Sequence, residues 1–411
     1  MNAMSASRPG LIGRVRSTPR ISWRLITLGM FIAVANGIFS FGFVLFLQRL
    51  GKDTGYQGLL LSFLEITVAA TILPLGMLAP KAGPRRSLLS GIACLAMAYS
   101  SIVFATELWQ FVPGMLLLGL GTAVISPSLA AALADTVCDA DRKYLMSLNA
   151  FCTMLAGAVG YALSGALVQL AGEVLGFRAV FGLAGAVVAC GAVLLAGRMD
   201  ITCAPMNGLR AGARKIFPFV LPQFILGLGA GLVIPFFPVY FKLRFDASTQ
   251  TISTIFTVTQ VIWALTYIAM PVIADRKGSV RTLVLMQSAA VAALFAIPLT
   301  VDFPSTAVLF GVRMILMNAS RPLADSYMMT LVGKDLRSTA VAANQLAWML
   351  PHMLSVAAGG LLMTFNREMP FFICGVLYIA STALYARFFM RMDDIAGARG
   401  GGKGERANDP G

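Results

Sequence analysis

The chain has 411 residues, 58% of them apolar or aromatic and only 12% charged, with a mean hydropathy of +0.79. A soluble domain of this size needs a polar exterior and carries roughly 25% charged residues, so a soluble enzyme is excluded, and so is a disordered chain. The formal net charge of +14 does not mark a nucleic-acid binder. Its Lys and Arg form short clusters between apolar runs (Arg14/Arg16/Arg20, Lys81/Arg85/Arg86, Arg276/Lys277/Arg281), as in the loops of a membrane protein.

A helix crosses a bilayer with about 20 apolar residues. In chain order the hydropathy predicts twelve spans: 22–47, 56–79, 87–105, 108–134, 145–170, 176–197, 216–241, 250–274, 282–301, 305–332, 338–364 and 370–391. The first follows basic residues but is too long for a cleaved signal peptide, and it reads as a retained anchor. Residues 1–21 form an N-terminal tail and 198–215 a linker between two six-span units, 22–197 and 216–391. Residues 392–411 read as a disordered tail. With the N-terminus inside, 24 of the 32 Lys and Arg fall on the inner side. Six (Arg49, Lys52, Arg178, Lys242, Arg244, Arg367) fall outside, and Arg313 and Arg321 lie within a span. That bias predicts both termini on the cytoplasmic side. None of the six cysteines forms a CxxC pair and His352 is the only histidine, so neither a metal site nor a cofactor is expected.

The two units are copies. Gly83, Pro127, Arg142, Asn149 and Gly165 recur as Gly278, Pro322, Arg337, Asn344 and Gly360, each pair 195 residues apart, and Lys81 and Arg86 fall on Arg276 and Arg281. Spans four and ten both gain a proline, which removes a backbone hydrogen bond and permits a kink. Small-residue stretches in spans five and eleven allow neighbouring helices to approach closely. Span seven, with Gly227, Gly229, Gly231, Pro235 and Pro238, reads as a helix that bends and as part of a gate.

The segment PVIADRKGSVR, Pro271 to Arg281, is similar to the G-x-x-x-D-R-x-G-R loop of the major facilitator superfamily, with Asp275, Arg276 and Gly278 in place. The resemblance covers about residues 20–391. It implies an all-α membrane fold of twelve helices in two pseudo-symmetric bundles around a central cavity, and alternating access rather than catalysis. The first-half copy, GMLAPKAGPRR, keeps Lys81 and Gly83 but has Pro80 where the family has an aspartate. In the family that aspartate helps to lock the two halves on the cytoplasmic side. Asp275 is then expected to meet the start of span five near Tyr144 to Ser147, giving a gate held on one side only, with Arg142, Arg281 and Arg337 at the same mouth. Span five, AGAVGYALSGA, is loosely similar to the family's antiporter motif, and the usual span-four arginine is absent, Met115 standing near its place.

Charged and polar groups within spans mark candidate sites. Arg313, Met317, Arg321 and Asp325 are spaced by four, which places them on one stripe of a helix. The arginines either attract an anionic or amphiphilic substrate or serve the structure, Arg321 pairing with Asp325 and Arg313 lying near the outer surface. Asn36, Gln223 and Asn318 are candidate hydrogen-bonding groups of the cavity. Glu65 in span two is the candidate proton carrier. His352 in span eleven is its candidate partner, since the family brings these spans together. The reading is a secondary transporter, most simply a monomer in a bacterial inner membrane. It moves a small organic solute and protons by alternating access, with export by antiport favoured. The alternatives are proton-coupled import of an organic anion, or a non-transporting assembly or sensing protein.

Overall fold

A computed structural model describes residues 18–137, 139–196, 213–277, 279–332 and 337–401. Twelve helical spans run along the chain: Arg20–Arg49, Thr54–Ala82, Pro84–Phe104, Leu108–Ala134, Asp139–Ala171, Glu173–Leu194, Ala213–Phe245, Thr249–Lys277, Ser279–Leu299, Phe303–Leu331, Arg337–Phe365 and Met369–Gly401. Ten helices among the described residues are long and apolar enough to cross a membrane. Most of linker 198–215 and the last residues of the chain lie outside the described residues.

Three spans are broken or prolonged relative to the expectation above. Span seven breaks at a 3-10 turn, Ile234–Phe236, between helices Ala213–Val233 and Phe237–Phe245. Pro235 and Pro238 cannot donate to the ladder there. Span ten is interrupted at Ser320, between helices Phe303–Ala319 and Arg321–Leu331, because Pro322 removes a donor at the start of the second. Span twelve continues past 391 to Gly401, over a stretch expected to be disordered. A helix already nucleated by packing adds each further residue without the cost of a new nucleus.

The 195-residue repeat is written into the loops at the end of the bundle away from the termini. Gly51 and its mate Asp246 both turn the chain with positive φ, 74° and 48°, and Asp246 is the one non-glycine residue to do so among the described residues. Asp53 accepts from the Tyr56 N–H at 2.7 Å, and its mate Ser248 accepts from the Thr251 N–H at 3.1 Å. Glu107 forms a capping box with Gln110 at the start of span four, and its mate Asp302 caps span ten through the Ser305 N–H at 2.8 Å. Each cap satisfies donors that a helix start leaves free.

Two seams join the halves, span two on span eleven and span five on span eight. A Cβ at Gly58 would stand 2.8 Å from the Val356 carbonyl oxygen and 3.1 Å from the Gly360 Cα, so only hydrogen fits there. Gly165 meets the Ser253 side chain in the same way. Hydrogen bonds cross both seams: Thr54 Oγ1 to Thr364 Oγ1 at 3.1 Å, Ser62 Oγ to the Met353 carbonyl at 2.6 Å, and Ser253 Oγ to the Tyr161 carbonyl at 2.6 Å. The halves are thus packed tightly toward the end that carries Gly51 and Asp246.

Candidate functional site

Below these contacts lies a cavity of about 470 Å³, lined by residues of both halves from spans one, two, four, five, seven, eight, ten and eleven. That volume suits a drug-sized solute. Its walls are mainly rings and aliphatic groups, with Phe39, Phe43, Tyr161, Phe256 and Phe310 among them. Phe256 packs edge-on against Tyr161 at 5.8 Å and tilted against Phe310 at 4.8 Å, continuing one aromatic wall from span five to span ten. Asn36 and Ser40, in the middle of span one, remain exposed because they face this space.

Glu65 lines the cavity. It sits eleven residues into the span that begins at Thr54, roughly 16 Å along the helix axis. Among the described residues its carboxylate makes no hydrogen bond or ion pair. It is the one carboxylate among the described lining residues, and none of them is a lysine or arginine. His352 lines the same cavity from span eleven and is 7% exposed. Its ring stacks on Trp348 with centroids 4.4 Å apart, and its buried Nδ1 has no hydrogen-bond partner among the described residues. The Arg321 guanidinium lies over the Trp348 ring at 5.4 Å, so a cation, an indole and an imidazole follow one another, the imidazole alone of the three lining the cavity.

A crevice of about 370 Å³ opens in the first half and shares Asn36, Thr122 and Ser126 with the cavity. Asn149 and Thr153 line its inner part, and the buried Asn149 Oδ1 has no partner among the described residues. Ser126 and Thr153 are the repeat mates of Arg321 and Trp348. The second half therefore places a guanidinium and an indole where the first half carries two small hydroxyls.

The model of the Major Facilitator Superfamily matches residues 25–221 and again 219–407. The chain belongs to the Major Facilitator Superfamily. Among solved structures, the nucleoside transporter NupG (a point mutant) superposes with a TM-score of 0.76 at 14% identity, covering 90% of this chain and 100% of that one. A bacterial homolog to the human lysosomal transporter Spinster, in an inward-facing and occupied conformation, gives 0.74 at 13% identity, covering 90% and 97%. The same homolog, inward-facing and unoccupied, gives 0.73 at 13%, covering 94% and 98%. At such identities the likeness shows the fold. No curated protein matches the sequence.

Within this superfamily member the sequence-selected residues separate into groups. Asn36, Glu65 and His352 meet at the cavity. Arg313 does not. It is fully buried within the second half, donating to Tyr378 Oη at 2.8 Å and to the Met314 sulfur at 2.9 Å, with the Phe237 ring at 5.8 Å. The face of span ten that lines the cavity carries Phe310 and Met314, and Arg313 points away from it into the second half. Arg321 is exposed and lies on Trp348 rather than among the cavity-lining residues, and the Asp325 side chain is outside the described part. Asn318 donates to the Met314 carbonyl of its own span at 2.8 Å, and neither it nor the half-buried Gln223 lines the cavity.

Of the gating residues, Gly83 precedes span three with a φ of 85°, ahead of Pro84, and Arg281 is exposed near the start of span nine. The side chains of Lys81, Arg142, Asp275, Arg276 and Arg337 lie outside the described part, as does Gly278 altogether. Gln260, Trp348 and the aromatic wall went unnoticed in the sequence because each reads as ordinary apolar or polar helix. Gln260 carried one usable signal, its 195-residue offset from Glu65.

Proposed function

We propose that the protein is a proton-coupled secondary transporter that carries a small organic solute through the central cavity by alternating access. The observation that carries this reading is Glu65, a lone carboxylate without a protein partner among the described residues, in a cavity walled by rings. A carboxylate in such surroundings is costly unless it is protonated or meets a counter-charge. It therefore holds either a proton or a solute, and exchange of one for the other is antiport. Export against inward proton movement is the favoured direction, in a bacterial inner membrane with both termini cytoplasmic, by a monomer.

His352, stacked on Trp348 beside the same cavity, serves as the second polar group of the coupling site. The gate at the terminus-bearing mouth is assigned to Asp275, Arg276 and Gly278 with Arg281, together with Lys81, Gly83, Arg142 and Arg337. Import of an organic anion is not favoured, since no lysine or arginine lines the cavity among the described residues.

The test is transport in proteoliposomes with an imposed pH gradient and a labelled panel of organic cations, anions and neutral amphiphiles. Gradient-driven movement of one class, abolished in Glu65→Gln, supports the proposal. A protein that moves no class under the gradient, or moves one equally well in Glu65→Gln, overturns it.

A further inference from the structure

Glu65 and Gln260 stand 195 residues apart, the offset that relates the two halves, and both line the one cavity. Glu65 belongs to the seam of spans two and eleven, and Gln260 to the seam of spans five and eight. The same offset relates Gly157 to His352. A Cβ at Gly157 would stand 3.6 Å from Gln260 Nε2, so the amide reaches toward a backbone that carries no side chain. At the mated place the ring of His352 stands instead. One seam thus carries a carboxylate and an imidazole at the two places where the other carries an amide and a glycine.

Neither Glu65 nor Gln260 bonds its side chain to another described residue. Both are therefore free to bind a solute in the cavity, whose lining also includes the rings of Phe39, Phe43, Tyr161, Phe256 and Phe310. A single negative charge, a neutral amide with both a donor and an acceptor, and ring faces select for a cation with an apolar body. We propose that Glu65 and Gln260 form a two-point clamp for an organic monocation that carries a hydrogen-bonding group. The clamp rests on the reading of this cavity as the transport site, and the two fail separately.

The test is fluorescence titration of the purified full-length protein with ethidium, a monocation with amino groups, and with its dicationic analogue propidium. The wild type binds ethidium better than propidium. Glu65→Gln weakens ethidium by about tenfold, and Glu65→Gln/Gln260→Glu, which moves the charge to the mated position, recovers it to within about threefold. Gln260→Glu alone, with a carboxylate at both points, tightens propidium by about tenfold. The clamp is overturned if the wild type shows no saturable ethidium binding, if the exchanged variant stays as weak as Glu65→Gln, or if Gln260→Glu gains nothing for propidium. Ethidium binding in this pattern without gradient-driven transport leaves the clamp standing and removes the transport reading. Glu65-dependent transport with no recovery in the exchanged variant removes the clamp alone.

Discussion

Arg244 Nη1 lies 2.7 Å from Glu368 Oε1, tying the end of span seven to the start of span twelve. The pair repeats 195 residues earlier, where Arg49 Nε lies 2.7 Å from Glu173 Oε2 and ties span one to span six. The copies differ in their surroundings. Arg244 also donates to Tyr240 Oη and to the Pro298 and Thr300 carbonyls, and its side chain is 20% exposed against 57% for Arg49. Arg49→Ala is expected to cost no more than about 1 kcal/mol, as exposed ion pairs do. Arg244→Ala leaves two carbonyls and a carboxylate without this donor and is expected to cost about 2–3 kcal/mol. Thermal unfolding in detergent separates the two, and equal losses would contradict the assignment.

The turn at Gly51 and Asp246 gives a second prediction. Both positions have positive φ, which costs an ordinary L-residue about 1–2 kcal/mol. Gly51→Val is expected to destabilise by that amount, whereas Asp246→Gly loses only an exposed contact to Lys242 and is expected to be neutral or stabilising. Unfolding midpoints of both variants check the sign.

Arg313 is buried with one hydroxyl, one sulfur and two rings as partners, and its Nε has none among the described residues. A buried charge that faces no opposite charge costs folding free energy, which an apolar side chain of similar volume does not. Arg313→Met is therefore expected to keep or raise the unfolding temperature and to leave solute selectivity unchanged. A switch in the preferred solute class would return Arg313 to the binding site.

The seam at Gly58 has no room for a side chain. Gly58→Leu is expected to push spans two and eleven apart at their far ends and to slow transport. A cysteine pair at Thr54 and Thr364, whose hydroxyls lie 3.1 Å apart, reports this directly. Its disulfide yield falls in Gly58→Leu and stays high otherwise.

Asp302 caps span ten from the exposed surface, and the Ser305 N–H holds its carboxyl below the usual value of 3.8. A carboxyl whose folded value is depressed contributes stability above 3.8, and that contribution is lost as pH falls through the lower folded value. Acid unfolding in that window is expected to be shallower in Asp302→Asn, as pH-dependent unfolding curves would show.

How much of this was legible in the sequence varied with what spacing can encode. The spans followed from runs of apolar residues, and the duplication from a fixed offset, because both are linear properties. Glu65 was legible because a carboxylate in an apolar run has few structural uses. Arg313 misled because helical spacing says which residues share a face and not which way that face turns in the bundle. Trp348 was not legible, since its importance lies in stacking between Arg321 and His352, groups on different spans.

The central claim is that solute and proton compete for Glu65, and proton release on binding tests it most directly. In weakly buffered detergent solution near neutral pH, ethidium binding to the wild type should release protons, approaching about one per bound solute as the pH is lowered. Glu65→Gln should release none. Saturable ethidium binding with no proton release at any pH, or with undiminished release in Glu65→Gln, would contradict the account.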